Sequence, residues 1–423
     1  MSKQSSITGP HAPSWPSKAN RTDPQNDDES VCTGEIEDEA SETYRDIAME
    51  FVKDAEGDLA GRIFRAISVS SDTKLRREAV RERRGEPGSF RSKSLAGVMQ
   101  EFLTWYQRQD DLVLEFPDFQ MDAGSSYDED AARERYGRLR DLERGALEAC
   151  RQSSDDLYTA LIGITASHKN ANNQYRCPAD HWREMRDSWS DHVRQEQQRV
   201  FDQLGANRYD PDDPPERWWE YVRIVEPHKS GYGHHHIAVV TNFEISVEDF
   251  EPVITKHVEE TPSANWSAHQ IHADHPEDRC VSVNRVQPES DGDGVGNLAS
   301  YLSGYLSEFT DDDEDDDEYL DLLDRAAHEV MFSAVQWATA SRKIDFSNGA
   351  HALRRIGNDL RPEEYQTPEP EGDVPAPTSV VNQVTGDSHL ILEPGGVEMV
   401  PVQDRPEYDP EKVFPGGALE ATR

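Results

Sequence analysis

The sequence predicts an α+β fold organised around a central antiparallel sheet. Three observations predict it. Apolar, β-rich runs recur at residues 158–167, 218–225, 234–240 and 281–286. Stretches of helical spacing at 180–204 and 246–258 lie between them. The two middle runs are separated by a short turn containing Gly231 and Gly233, so they form a hairpin and pair antiparallel.

Taken in order, residues 1–42 are rich in Ser, Pro, Asn, Asp and Glu and read as a disordered tail. Residues 43–150 read as a mostly helical N-terminal extension. Ile47, Phe51, Ala55, Leu59, Ile63 and Ile67 are spaced along one helical stretch, and residues 96–105 and 130–151 form further helices. Arg77, Arg81, Arg83 and Arg84 make a basic island, read as a solvated helix face with local ion pairs. Residues 151–310 form the central α+β domain. Its first strand, 158–167, ends in Ile164-Thr165-Ala166. A long helix follows, with Trp182, Met185, Trp189, Val193, Val200 and Leu204 on its apolar face, Asp180 as N-cap and Gly205 past its end. After the hairpin come a helix with Val247, Phe250, Val253 and Ile254 on one face, the strand at 281–286, and a helix at 297–309. Residues 311–358 hold an acidic loop at 311–318 and a C-terminal helical extension that starts at 319–340. Residues 359–423 are Pro/Glu/Gly-rich and read as an extended tail with a β-like patch at 390–392.

Composition narrows the function classes. The net charge is −40, Lys number only 10 against 34 Arg, and 35% of residues are hydrophobic, the pattern of a protein working in a salt-in cytoplasm. At about 1 M salt the Debye length is about 3 Å, so acidity does not exclude a nucleic-acid partner. Binding there rests on short-range contacts: metal to phosphate, Arg forks and base stacking. The four Cys are widely spaced, with no CxxC pair, and read as free thiols of a reducing compartment. Without an apolar run able to span a bilayer, and with a polar N-terminus, the expected location is the cytoplasm, with no membrane partner.

The hairpin carries the chemistry. It reads Arg223-Ile-Val-Glu226-Pro-His-Lys-Ser-Gly-Tyr-Gly-His234-His235-His236-Ile-Ala-Val-Val240. Side chains alternate along a strand, so His234 and His236 share one face and His235 takes the other. Folding the hairpin brings Glu226 toward both imidazoles. Two histidines and a carboxylate make a divalent-metal site with open positions, as catalytic sites have. Mn²⁺ or Mg²⁺ suits the set, Mn²⁺ better matches nitrogen ligands, and Zn²⁺ also fits. Loop residues His269, His272 and His275 read as solvent-exposed, and His228 in the turn as a possible substrate contact.

These residues resemble the HUH endonuclease superfamily, and within it the rolling-circle replication initiators of haloarchaeal plasmids and viruses. The resemblance spans about residues 155–360. It implies a ferredoxin-like endonuclease domain with Glu226, His234 and His236 as metal ligands. His235 stands where the family has a bulky apolar residue. Ile164-Thr165-Ala166 matches the first family motif, and Arg342 to Arg355 is a third island of likeness. Tyr301 and Tyr305 lie four apart, so on a helix they share one face. The resemblance makes them the nucleophiles that nick single-stranded DNA, leaving a 5′-phosphotyrosine and a free 3′-OH. The family often has Lys three residues past the nucleophile, where this chain has Gly304 and Glu308. Lys229, Lys256 and Arg285 are candidate replacements, and with Thr165 they are the candidate DNA contacts. The implied partners are single-stranded origin DNA and, because no Gly-Lys-Ser/Thr nucleotide loop is present, a host helicase together with a polymerase. Competing readings are a relaxase or transposase of the same superfamily, a non-catalytic DNA-binding protein on the same fold, and a metal-dependent hydrolase of a small substrate.

Overall fold

The computed structural model describes residues 38–55, 59–70, 72–109, 111–117, 120–275, 279–286, 321–362, 366, 377, 379–383, 388–390 and 397–402. The N-terminal part runs α1 (Asp38–Asp54), α2 (Ala60–Ile63), β1 (Lys74–Arg76), β2 (Val80–Arg83), β3 (Glu86–Ser92), α3 (Leu95–Gln109), β4 (Leu112–Glu115), β5 (Gln120–Asp122) and α4 (Glu129–Ser153). The central part follows as β6 (Tyr158–Ile164), α5 (Pro178–Asp187), a π-helical turn (Ser188–Val193), α6 (Arg194–Gln203), β7 (Asn207–Arg208), β8 (Trp218–Pro227), β9 (Gly233–Thr241), α7 (Glu251–Glu260) and β10 (Val281–Arg285). The C-terminal part holds α8 (Ala327–Ala338), β11 (Ile344–Phe346), α9 (Asn348–Asp359), β12 (Ser379–Asn382), β13 (Ser388–Leu390) and β14 (Met399–Pro401).

The central sheet has the order β10-β6-β9-β8-β11, antiparallel throughout, with β7 added parallel to the start of β8. The sheet is buried on both faces, so β8 is buried continuously from Trp218 to Val225, Glu220 and Arg223 included, rather than at alternate positions. On one face Ile162, Ile164, Trp219, Tyr221, Ile237 and Val239 pack against Trp189, Phe201 and Val253 from α6, α7 and the π-helical turn. On the other, Val222, Ile224, Ala238 and Val240 pack against Leu142 and Ala146 of α4 and Leu353 of α9. Helices α4 and α9 approach closely because glycines meet at their crossing. A Cβ on Gly145 would overlap the Leu353 carbonyl, and one on Gly357 the Asp141 carbonyl.

A separate core forms around α3, whose Met99, Phe102 and Leu103 pack with Trp337 and Val335 of α8. Strands β12 and β14 join this N-terminal part, β12 beside β4 and β14 beside β1. Helix α8 also bears on the turn between β8 and β9. A Cβ at Gly231 would lie 2.8 Å from Met331 Sδ, and one at Gly233 would lie 2.9 Å from the Phe332 ring. Gly231 additionally has φ +76°, a conformation that favours glycine.

Several expectations need correction. The Arg island is not a helix face: residues 80–92 form the β2–β3 hairpin, with Gly85 at φ +84° in its turn. Local charge spacing there fits a helix, but Gly85, Pro87 and Gly88 disfavour one and a tight turn prevails. The helical stretch from residue 43 is divided into α1 and the short α2, and Ile67 is buried beyond both. Asp180 is not the N-cap of α5, because Cys177 holds that place and Asp180 instead accepts from the Thr73 hydroxyl at 3.2 Å. Helix α8 begins at Ala327 rather than at residue 319. The packing also crosses the boundaries drawn from sequence. Helix α4 covers the central sheet, β11 extends it, and α8 belongs to the N-terminal core. Tertiary contacts between distant segments decide these points. The helix expected at 297–309 and the acidic loop at 311–318 lie outside the described residues.

The α4–α9 crossing yields a direct stability test. Gly145→Ala should lower unfolding free energy by about 1–3 kcal/mol, because the added methyl forces two packed helices apart. Urea unfolding in high KCl measures this, and unchanged stability would mean the crossing is looser than described.

Candidate metal centre

Register builds the site. Strands β8 and β9 pair with Glu226 directly across from His234 and Ile224 across from His236. Facing residues in an antiparallel pair project to the same side, so Glu226, His234 and His236 converge at the sheet's end. His234 Nε2 lies 3.0 Å from Glu226 Oε1, and His236 Nε2 lies 3.5 Å from Glu226 Oε2. The two Nε2 atoms stand 2.7 Å apart, with the rings edge to face. Among the described residues this is the one group of three or more His, Cys, Asp or Glu side chains close enough to share an ion.

The donor set fits a divalent cation. Two imidazole nitrogens on one tetrahedral ion stand about 3.3 Å apart, given bonds of about 2.0–2.1 Å. The pair here would open by roughly half an ångström, within the play of two side-chain torsions. Burial holds His234 below its usual pKa, and the neighbouring His236 adds to this against the opposing pull of Glu226. Burial alone would raise the Glu226 carboxyl, but hydrogen bonds from His234 and His236 outweigh it and keep it below the usual range. Neutral imidazole beside ionised carboxylate is the protonation state a metal requires.

His235 points to the opposite face and is buried, with its pKa pushed well down by desolvation and by Arg223. His228 is exposed in the turn, its ring 5.9 Å from that of His234, and Lys229 is exposed beside it. These two stand near the triad. Thr165 follows Ile164, which pairs with His235, so it too lies at this end of the sheet. The other two candidate contacts are each held in an ion pair. Lys256, on α7, pairs with Glu260 at 2.7 Å. Arg285 pairs with Asp156 and faces Tyr158, which is aligned with Thr241 at the opposite end of β9 from the triad. Tyr301 and Tyr305, with Gly304 and Glu308, lie outside the described residues.

One buried residue escaped the sequence reading. His269, expected in solvent, is 1% exposed and binds the Thr165 backbone, whereas His272 and His275 are exposed as expected. The weak signal was its neighbour Ile271, the one branched aliphatic residue of a loop rich in polar residues.

An antiparallel sheet with a three-donor centre on its middle hairpin defines a candidate metalloprotein of the α+β class. The chain belongs to a rep-protein family: residues 69–374 match the family described as "Putative rep protein (DUF1424)". It is 30% identical over 245 residues to an "Uncharacterized 36 kDa protein" of Halobacterium salinarum, covering 56% of this chain and 69% of that one. It is 29% identical over 302 residues to a protein of the same description from Halobacterium sp. (strain GN101), covering 67% and 84%. No solved structure matches it. Among the described residues no helix is long and apolar enough to cross a membrane.

Metal affinity should follow the donor protonation. Because the His234 pKa is lowered, protons compete with metal only in acid. Titration with Mn²⁺ or Zn²⁺ should give equal affinity at about pH 8 and 7, then progressive loss below the ordinary histidine value of about 6.5. His234→Ala should weaken binding by more than about tenfold. Loss of affinity beginning above neutral pH would contradict the assigned donors.

Proposed function

We propose that this protein is a rolling-circle replication initiator of a haloarchaeal plasmid or virus, a metal-dependent nickase and ligase of single-stranded origin DNA. The observation that carries the reading is the alignment of Glu226 with His234, and of His236 beside them, on the two middle strands of the sheet. Membership of the rep family and the Halobacterium relatives support it. The chain order β6-helix-β8-β9-helix-β10, with sheet order β10-β6-β9-β8, is that of a ferredoxin-like domain and supports the HUH-type fold.

Glu226, His234 and His236 would hold Mn²⁺, Mg²⁺ or Zn²⁺. When bound, the cation supplies charge stabilisation and orientation for a phosphodiester. The residues around it set the conditions. Burial keeps the His234 imidazole neutral, and Glu226 stays ionised. His228 and Lys229, exposed on the adjoining turn, are placed to meet phosphate oxygens. Tyr301 or Tyr305 is the nucleophile. Its phenolic oxygen bonds to phosphorus, the 3′ oxygen departs with the bonding pair and takes up a proton, and the phenolic proton passes to solvent. The phosphotyrosine keeps the bond energy for rejoining. A host helicase opens the duplex, and a polymerase extends the 3′-OH.

Incubation with Mn²⁺ and single-stranded DNA from its own replicon, in high KCl, should give a covalent protein–DNA adduct on a denaturing gel. Tyr301→Phe and Tyr305→Phe together should abolish it, and the single variants identify which tyrosine begins. An adduct that survives the double variant would sink the tyrosine assignment. Metal binding without any adduct would favour a DNA-binding protein without nicking activity.

A further inference from the structure

The loops that leave β6 and α7 are tied into one bracket at the metal end of the sheet, and the bracket holds an exposed tryptophan. Two histidines bond the backbone of Thr165. The Thr165 N–H donates to His269 Nε2 at 3.1 Å, and His257 Nε2 donates to the Thr165 carbonyl at 2.9 Å. The second nitrogen of each ring is also engaged. His269 Nδ1 donates to the Asn265 carbonyl at 2.7 Å, and His257 Nδ1 accepts from the Ser188 hydroxyl at 2.8 Å. Each imidazole thus has a fixed tautomer and is neutral. Burial pushes His257 down to about 4, and burial likewise lowers His269.

Further bonds close the bracket. The Ser167 N–H donates to the Ser263 carbonyl at 2.9 Å, and Arg176 binds both the Ser263 hydroxyl and the Glu184 carboxylate. Asn265 Oδ1 accepts from the Ala268 N–H at 3.1 Å, capping the turn of residues 266–268. The residues on both sides of Trp266 are therefore fixed, while Trp266 itself is 50% exposed. Every other tryptophan among the described residues is buried or partly so. A single exposed apolar side chain on a flexible loop would need no explanation. This one stands on a loop whose backbone is tied, through His269, to the strand that runs beside His235 and His236.

We propose that Trp266 is a nucleobase-stacking site for the single strand that reaches the metal centre. The inference rests on the reading of that centre as acting on single-stranded DNA. A loop with a tied backbone loses little freedom on binding, and stacking tolerates any base. Stacking also suits a chain of net charge −40 in concentrated salt, where long-range attraction to phosphate is screened. On the other loop of the bracket Lys169, one of only 10 lysines, is poised 5.0 Å above the Tyr175 ring and adds a cation to the bracket. Duplex DNA keeps its base faces stacked and offers the indole nothing equivalent.

The test uses the full chain in high KCl with EDTA, so that binding is read without nicking. Anisotropy is followed with a labelled deoxyadenosine oligonucleotide and with an abasic strand of equal length. Trp266→Ala should weaken binding to the deoxyadenosine strand by about 5- to 100-fold and leave the abasic strand unaffected. Trp266→Phe should recover most of the loss, and melting temperature should not change. Equal binding by wild type and Trp266→Ala, equal losses on both strands, or no binding by wild type would overturn the proposal. Nicking that persists while Trp266→Ala binds normally removes this site alone. Trp266-dependent binding without nicking removes the nickase reading alone.

Discussion

The register of β8 against β9 is the constraint on which the candidate site depends. A slip of one residue would send Glu226 to one face and both His234 and His236 to the other. Burial on both faces prevents the slip. Trp219, Tyr221, Ile237 and Val239 must meet the α5–α7 layer, while Val222, Ile224, Ala238 and Val240 must meet α4 and α9. The far end of the hairpin is pinned as well, where Asn242 Oδ1 accepts from the Trp218 N–H at 2.8 Å. At the near end the turn is gripped by Met331 and Phe332, which leave room only for glycine at 231 and 233. Elements far apart in sequence thus converge on one pairing.

The same burial sets the electrostatics. The structure encloses His181, His235, His257 and His269 near the strand ends beside the candidate metal centre, each with its pKa lowered by desolvation. Charged groups there would compete with a bound cation, whereas neutral imidazoles contribute hydrogen bonds without charge. His181 and His257 spend theirs on the carbonyls of Ala166 and Thr165. Acidic charge is spread through the rest of the chain, while among the described residues Glu226 is the carboxylate grouped with His234 and His236.

The sheet strands and the Glu-His-His set were legible in sequence because their signals are local. Period-two spacing placed His234 and His236 on one face, and a short glycine turn put Glu226 across from them. Helices with regular apolar spacing were legible for the same reason. The Arg island was misread because its charge spacing fits a helix, while its structure follows from the turn at Gly85. The burial of His269 was missed because nothing nearby in sequence reveals that Thr165, over a hundred residues earlier, needs a partner. The close crossing of α4 and α9 rests on Gly145 and Gly357, which look like ordinary helix-weakening residues until the two helices are placed together.

Under the proposed function, this arrangement bears on how so acidic a chain would address a polyanion. A conventional basic face would be costly to maintain and largely screened in concentrated salt. The surface near the triad instead offers a few short-range elements: the imidazole–carboxylate centre, His228 and Lys229 on the turn, and the bracket with Lys169 and Trp266. Each acts at contact distance, where ionic screening is weakest. Contact-range recognition demands accurate placement, since a group displaced by an ångström or two no longer touches its target. The buried register, the glycine-lined turn and the histidine-held bracket supply that placement. If the proposed function holds, the dense core behind the site serves salt-tolerant recognition as well as stability.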